Sequence, residues 1–265
     1  MRSPSSPTRL TSTASFIAPL YAVGGEVVGR PATKSKVIPA AEGAATIGPV
    51  YQIDAEKILA LSPDLVIINK GMNEKLIETL AANNIQTLVI EMKSYEDVKR
   101  EVTTFAALTG EKAKGEELIA KMDADIDAVR ASIPQEKKRI SIIHSTGQGL
   151  SVQLDGSIAG SIAKMLGWEN TASGMPALDK NPDAAPYSME TLVAQNPDII
   201  FVTSMGEEAE IRASMEAMFA GSPAWQSVSA VRDGRVYYLP QELFLFSPGI
   251  QYPEAVKYMA GLIYP

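Results

Sequence analysis

Two stretches far apart in this chain carry the same pattern, and an internal repeat restricts the possible folds more than any composition does. The first runs from Asp54 through Glu56 and Leu61-Ser62-Pro63-Asp64 to Leu65-Val66-Ile67-Ile68. The second runs from Ser188 through Glu190 and Gln195-Asn196-Pro197-Asp198 to Ile199-Ile200-Phe201-Val202. In each, a glutamate leads a short helix, Pro-Asp ends it, and an unbroken apolar run comes next. Proline cannot continue a helix and restricts the residue before it, and continuous β-branched runs suit strands buried on both faces. Each copy therefore reads as helix, turn, buried parallel strand.

A second pair of segments lies upstream of these. Leu10 to Gly25 reads as strand, polar loop and helix, reaching Ala22-Val23-Gly24, and Ile140 to Trp168 reads the same way, reaching Met165-Leu166-Gly167. The first half carries about nine extra residues before its Glu56 helix, an insertion of the kind surface loops accept. Between the halves, Val98, Val102, Phe105 and Ala106, then Leu118, Ile119, Met122, Ile126, Val129 and Ile133, recur at helical spacing, with Thr109-Gly110 as the break. A helix from about Gly115 to Ser132 would be roughly 27 Å long, enough to join two lobes. The expectation is an α/β chain of two Rossmann-like lobes, 8–110 and 135–265, joined by a single connecting helix at 111–134, with a ligand cleft between them.

Composition agrees and excludes several functions. At 265 residues the chain exceeds one usual core. Acidic residues outnumber basic ones, 31 to 24, which argues against nucleic acid as a partner. There is no cysteine for a disulfide, a thiolate metal site or a thiol nucleophile, and the single histidine, His144, cannot supply a multi-histidine metal cage. No apolar run is long enough to span a bilayer, and Met1 to Pro7, rich in Ser and Pro, holds no leader-like apolar segment. The one enzymatic signal is Ser161-Ile162-Ala163-Lys164, an S-x-x-K match without its usual companion motifs, which leaves a serine hydrolase as a remote alternative.

The paired Glu-to-Pro-Asp segments, the connecting helix, Ser222-Pro223-Ala224-Trp225-Gln226, Ala230-Val231-Arg232-Asp233-Gly234-Arg235-Val236-Tyr237 and the closing Ser247-Pro248-Gly249 with its helix occur in a characteristic order. That order resembles the helical-backbone class (class III) of periplasmic substrate-binding proteins, the binding components of ABC importers for iron-siderophores, haem, cobalamin and some oxyanions. The resemblance implies a monomeric binding protein rather than an enzyme, with a small-molecule ligand, a permease dimer as partner, and a periplasmic or membrane-associated extracellular location. It implies no cofactor, any iron or cobalt being part of the transported ligand. It also implies that Glu56 and Glu190, one per lobe, dock onto the permease; a first-turn carboxylate near a helix dipole is the plainer reading of both. The short hairpin that usually opens the family is missing, which suggests a trimmed start, and so is the lipid-bearing cysteine of its lipoprotein members. Contact with a membrane is expected only through the permease or such an anchor.

In doubly wound sheets a ligand sits beyond the carboxyl ends of the strands. That rule selects Thr13, Ser15, Phe16, Val50, Tyr51, Lys70 and Met72 in the first lobe, and His144, Gln148, Tyr187, Met205, Phe244 and Phe246 in the second. The set is rich in aromatic and thioether groups and poor in charge, which suits a bulky, partly apolar metal chelate better than a bare ion. Tyr51, His144 or Tyr187 could serve as an axial ligand to chelated iron, and Lys70 could neutralise an anionic group, including a molybdate-type oxyanion in the alternative reading. Phe244 and Phe246 read equally well as inward-alternating core residues of a strand.

Overall fold

The computed structural model describes residues 9–12, 16–33, 37–147, 149–204, 208–245 and 247–265, with only the backbone described at 208. The chain divides into two compact units between Met122 and Asp123.

The first unit contains β1 (Leu10–Ser12), α1 (Ile17–Ala22), β2 (Val27–Ala32), β3 (Ala45–Pro49), α2 (Ala55–Leu61), β4 (Leu65–Asn69), α3 (Ile77–Ala82), β5 (Gln86–Ile90) and α4 (Tyr95–Thr109). Among the described residues its strands form one parallel sheet in the order β3-β2-β1-β4-β5, the doubly wound arrangement. Val66, Ile67 and Ile68 are fully buried, as their unbroken apolar run predicts. One face packs Ile47, Ile53, Ile58, Leu76 and Leu80 against Val66 and Ile68.

The Pro-Asp signature has a specific job in this unit. Ser62, before the proline, takes a left-handed conformation that ends α2. Asp64 then accepts the backbone N–H of Arg9 through Oδ2 (3.0 Å), while its own N–H donates to the Arg9 carbonyl (2.8 Å). The aspartate thus fixes where β1 begins beside β4. Helix α4 opens on a capping box in which Ser94 and Asp97 satisfy each other's backbone N–H groups, and it stops at Gly110 in left-handed geometry, at the predicted break.

Helix α5 (Lys112–Ser132) contains the division between the units and connects them. A methyl group at Gly115 would lie 2.5 Å from the Ala106 Cβ, so only glycine lets α5 approach α4 this closely. Of its predicted apolar stripe, Met122 and Ile126 are buried while Leu118, Ile119 and Val129 are half-exposed.

The second unit continues with β6 (Arg139–Thr146), β7 (Gly149–Gln153), α6 (Ile158–Met165), β8 (Glu169–Asn170), β9 (Ala184–Pro186), α7 (Met189–Gln195), β10 (Ile199–Ser204), α8 (Glu208–Phe219), α9 (Pro223–Ser227), α10 (Ser229–Arg232), β11 (Val236–Tyr238), α11 (Gln241–Phe244) and α12 (Tyr252–Gly261). Its described sheet runs β11-β10-β6-β7-β9, with β8 paired to the start of β6; β7 is antiparallel to both its neighbours. The clasp recurs: Asn196 is left-handed, Asp198 Oδ2 accepts the Arg139 N–H (2.9 Å), and the Asp198 N–H donates to the Arg139 carbonyl (2.8 Å). Here the pre-proline side chain adds a link, Asn196 Oδ1 accepting the Ser229 N–H and so tying α7 to α10. Ser222 caps α9 with Pro223 in its first turn, and Trp225 stacks on Phe219 in a core with Leu192, Ile200 and Val202.

Two sequence expectations are corrected here. Of the predicted loop at 144–150, the described residues His144 to Thr146 and Gly149 to Leu150 are strand rather than loop. They belong to β6 and β7 respectively, with Ser145 opposite Leu150 and Thr146 opposite Gly149, because the alternating Leu150-Ser151-Val152-Gln153 pairs as a strand. The second half is therefore not a plain strand, loop and helix. Phe244, in turn, lies on a helical turn directly after Pro240, not on a strand; it is nonetheless a core residue, 1% exposed, with Tyr258 beside it. Phe246, Thr13, Ser15, Gln148 and Met205 lie outside the described residues.

Candidate functional site

In the first unit two loops after strands present the exposed apolar groups. Gln52 N–H donates to the Pro49 carbonyl (2.8 Å), which sets Val50 and Tyr51 at the corner of a turn, and Tyr51 is 73% exposed. Gly48, at φ 106°, lets Asp54 N–H reach back to the Ile47 carbonyl (2.8 Å), and a side chain there would strike the Gln52 carbonyl. After β4, Met72 is 46% exposed on a turn closed by its N–H to Asn69 O (3.3 Å). Asn73 joins the two loops: its Nδ2 donates to the Val50 carbonyl at 3.0 Å. Tyr51 and Met72 thus flank the two residues that form this bridge.

Lys70 lies beside this pair but is engaged. Its Nζ meets Glu91 Oε2 at 2.7 Å, and Lys93 Nζ meets Glu91 Oε1 at 3.3 Å. The Glu91 hydrogen bond and charge raise the Lys70 pKa, and Lys70 in turn lowers that of Glu91. Phe16, predicted at the site, is buried edge-on against Phe105.

The second unit offers a more polar, more recessed set. His144 is half-buried in β6, sharing a hydrogen bond between Nδ1 and Thr203 Oγ1 of β10 (3.0 Å), and burial lowers its pKa, so the ring is neutral at pH 7. Ser145 and Ser204 pair across the same two strands near their carboxyl ends. Tyr187, directly after β9, packs against Phe219 and donates its hydroxyl to Met189 Sδ (3.7 Å); burial pushes its pKa up to about 12. At the end of β11 the Arg212 guanidinium lies 4.2 Å from the Tyr238 ring centroid.

Sequence reading missed Asn73 and Arg212. Asn73 comes directly after Met72 and could have been found as the next residue of the same loop. Arg212 gives no such signal, since it comes from the middle of α8 and reaches Tyr238 only through the fold.

Glu56 and Glu190 occupy matching second positions of the seven-residue helices α2 and α7, and both are exposed. Neither is the cap. Asp54 Oδ1 accepts the N–H groups of Glu56 (2.9 Å) and Lys57 (3.3 Å), and Ser188 Oγ accepts that of Thr191 (3.2 Å). Ser161, the hydrolase candidate, accepts a hydrogen bond from the Tyr252 hydroxyl (3.0 Å), and Lys164 is exposed at the last turn of α6.

Comparison with known proteins agrees with the fold. The family model described as "Periplasmic binding protein" matches residues 12–243. The chain is 27% identical over 211 residues to the iron(3+)-hydroxamate-binding protein FhuD of Bacillus subtilis, the match covering 77% of this chain and 64% of that protein, so this chain spans less than two thirds of that relative's length. Among solved structures, an ABC transporter substrate-binding protein from Listeria monocytogenes superposes with a TM-score of 0.84 at 22% identity, covering 97% of this chain and 98% of the other. IsdE of S. aureus complexed with haem superposes with a TM-score of 0.82 at 19% identity, covering 97% and 99%. The two structures establish the shared fold.

Proposed function

The chain belongs to the periplasmic binding protein family, and from that premise we propose that it captures a metal chelate of iron-siderophore, haem or cobalamin type and delivers it to an ABC importer. The observation that carries this reading is the pair Tyr51 and Met72, held out at the carboxyl end of a doubly wound sheet where such folds bind ligands. An aromatic ring and a thioether offer area and polarisability to a large, partly apolar surface. A small bare oxyanion has less to gain there, because Lys70, two residues before Met72, is already matched by Glu91.

Groups suited to such a ligand occur at the carboxyl ends of each unit's strands, each unit taken by itself. Ser145 and Ser204 supply hydroxyls, and Arg212 suits a carboxylate or propionate. If the ligand is haem, Tyr51 is a better axial candidate than Tyr187, since Tyr51 is exposed while Tyr187 is half-buried with its hydroxyl on the Met189 sulfur. Exposed Glu56 and Glu190 support the docking role, their helices being capped by other residues. A monomer acting outside the cytoplasmic membrane fits the family, and among the described residues no helix is long and apolar enough to cross a membrane.

The test is a thermal-shift screen, then titration with haem, ferric hydroxamate, ferric citrate, cobalamin and molybdate. A ligand that binds only the folded protein at a hundred times its Kd adds about 2.7 kcal/mol of stability. A shift with an iron or corrin chelate is expected. Response to molybdate alone would replace this reading with the oxyanion one.

A further inference from the structure

Strands β3 and β4 do not pair. β2 and β1 lie between them, which places them three strand spacings of about 4.8 Å apart. The loops after them nevertheless meet, through a hydrogen bond from Asn73 Nδ2 to the Val50 carbonyl (3.0 Å). Asn73 is 1% exposed, the bond it makes to half-exposed Val50 is partly buried, and its Oδ1 is buried without a partner among the described residues. An unsatisfied buried oxygen costs stability, so the Nδ2 bond to Val50 is the favourable contact that the amide makes here. Each loop is closed locally, by Gln52 N–H to Pro49 O and by Asn73 N–H to Asn69 O (3.3 Å), so each turn can hold its own shape. Those local bonds leave open the position of one turn relative to the other. Tyr51 and Met72 are the chain neighbours of the two bonded residues, so that relation sets how the two exposed side chains stand to each other.

We infer that Asn73 is a positioning residue for ligand capture: its amide locks the Tyr51 turn to the Met72 turn, so that the first unit presents a preformed aromatic-thioether platform. The inference rests on the proposed capture function and names the device that makes that site rigid. Preformed walls bind more tightly than the same side chains on independent loops, because less loop freedom is lost on binding. A ligand with one broad apolar face gains from both side chains at once. A compact polar ligand that meets only one of them does not need the lock.

The decisive comparison uses Asn73→Asp, which keeps the shape but replaces the donating amide with a carboxylate, and Asn73→Ala, which buries no charge and serves if the Asp variant fails to fold. Both are read by titration with whichever of haem, ferric hydroxamate or cobalamin the unmodified protein binds, and by amide exchange over residues 48–54 and 69–74 without ligand. Loss of this bond should weaken binding about tenfold and speed exchange in both loops. The double variant Tyr51→Ala/Asn73→Ala should bind little worse than Tyr51→Ala alone, because both changes disable one platform. Asn73→Asp should also recover affinity relative to the unmodified protein as pH falls and the acid regains a proton to donate, which a merely destabilised fold would not do. Unchanged affinity and exchange in a folded variant, or additive losses with Tyr51→Ala, would overturn the inference. If the unmodified protein bound none of the chelates, the capture reading would fail by itself, and the exchange data would still decide whether Asn73 locks the two loops.

Discussion

In both halves an aspartate after proline receives the backbone N–H that starts the first strand, Asp64 from Arg9 and Asp198 from Arg139, yet the sheets that grow from these matching clasps differ. The first is wholly parallel. The second folds β7 back against β6 and pairs it with β9, which draws His144 and Ser145 into a ladder. The first unit consequently shows an exposed apolar pair on two bridged turns, and the second shows hydroxyls, a neutral imidazole and a half-buried phenol. Short-range rules that end a helix and start a strand tolerate little variation, whereas the loop beyond a strand's carboxyl end is free to diverge.

The largest expected difference between the units concerns a buried acid. Glu101 on α4 is 2% exposed, both its oxygens lack hydrogen-bond partners among the described residues, and burial pushes its pKa up to about 8 from 4.5. A carboxyl whose folded pKa lies above its unfolded one contributes most to stability below pH 4.5 and loses that contribution as pH rises through 8. Relative to Glu101→Gln, the unmodified first unit should lose on the order of a few kcal/mol between pH 4.5 and 9. Denaturant melts of the two proteins across that range measure it, and parallel pH curves would show that Glu101 is not held protonated.

Next in size is the contrast between the tyrosines. Tyr51→Ala should cost about 2 kcal/mol of ligand binding, ~30-fold in Kd, by removing an exposed ring from the platform. Tyr187→Phe loses only a hydroxyl bonded to Met189 sulfur and should stay within about threefold. Equal effects in titration would mean that the units contribute alike.

The smallest effects should come from the clasps. Asp64→Ala and Asp198→Ala each remove a charge-assisted bond, worth roughly 1–2 kcal/mol in thermal or chemical melts. The first should be the milder, because the Arg9 guanidinium still reaches the Leu61 and Ser62 carbonyls. The reverse order would show that the Arg9 guanidinium bonds do not back up the first clasp.

Much of the scaffold is legible in the residues alone. The β4 and β10 runs, the α4 break at Gly110 and the helix beyond that break come from periodicity and from what proline and glycine permit locally. Of the site, Tyr51, Lys70 and Met72 do lie at strand ends, as expected, but Phe16 and Phe244 are core. A loop aromatic reads the same whether it points outward or inward.

Sequence alone determined the two-fold repeat, the α/β class, the helical connection and the absence of thiol or multi-histidine chemistry, because each depends on local backbone rules or on which side chains exist at all. Only the tertiary structure decided that Asn73 reaches Val50, that Arg212 lies over Tyr238, that Glu91 holds Lys70, and that β7 turns a presumed loop into a ladder. The β6–β7 hairpin is local in the chain, but the other contacts join residues separated by at least one intervening helix, and their distances are set by how the layers pack.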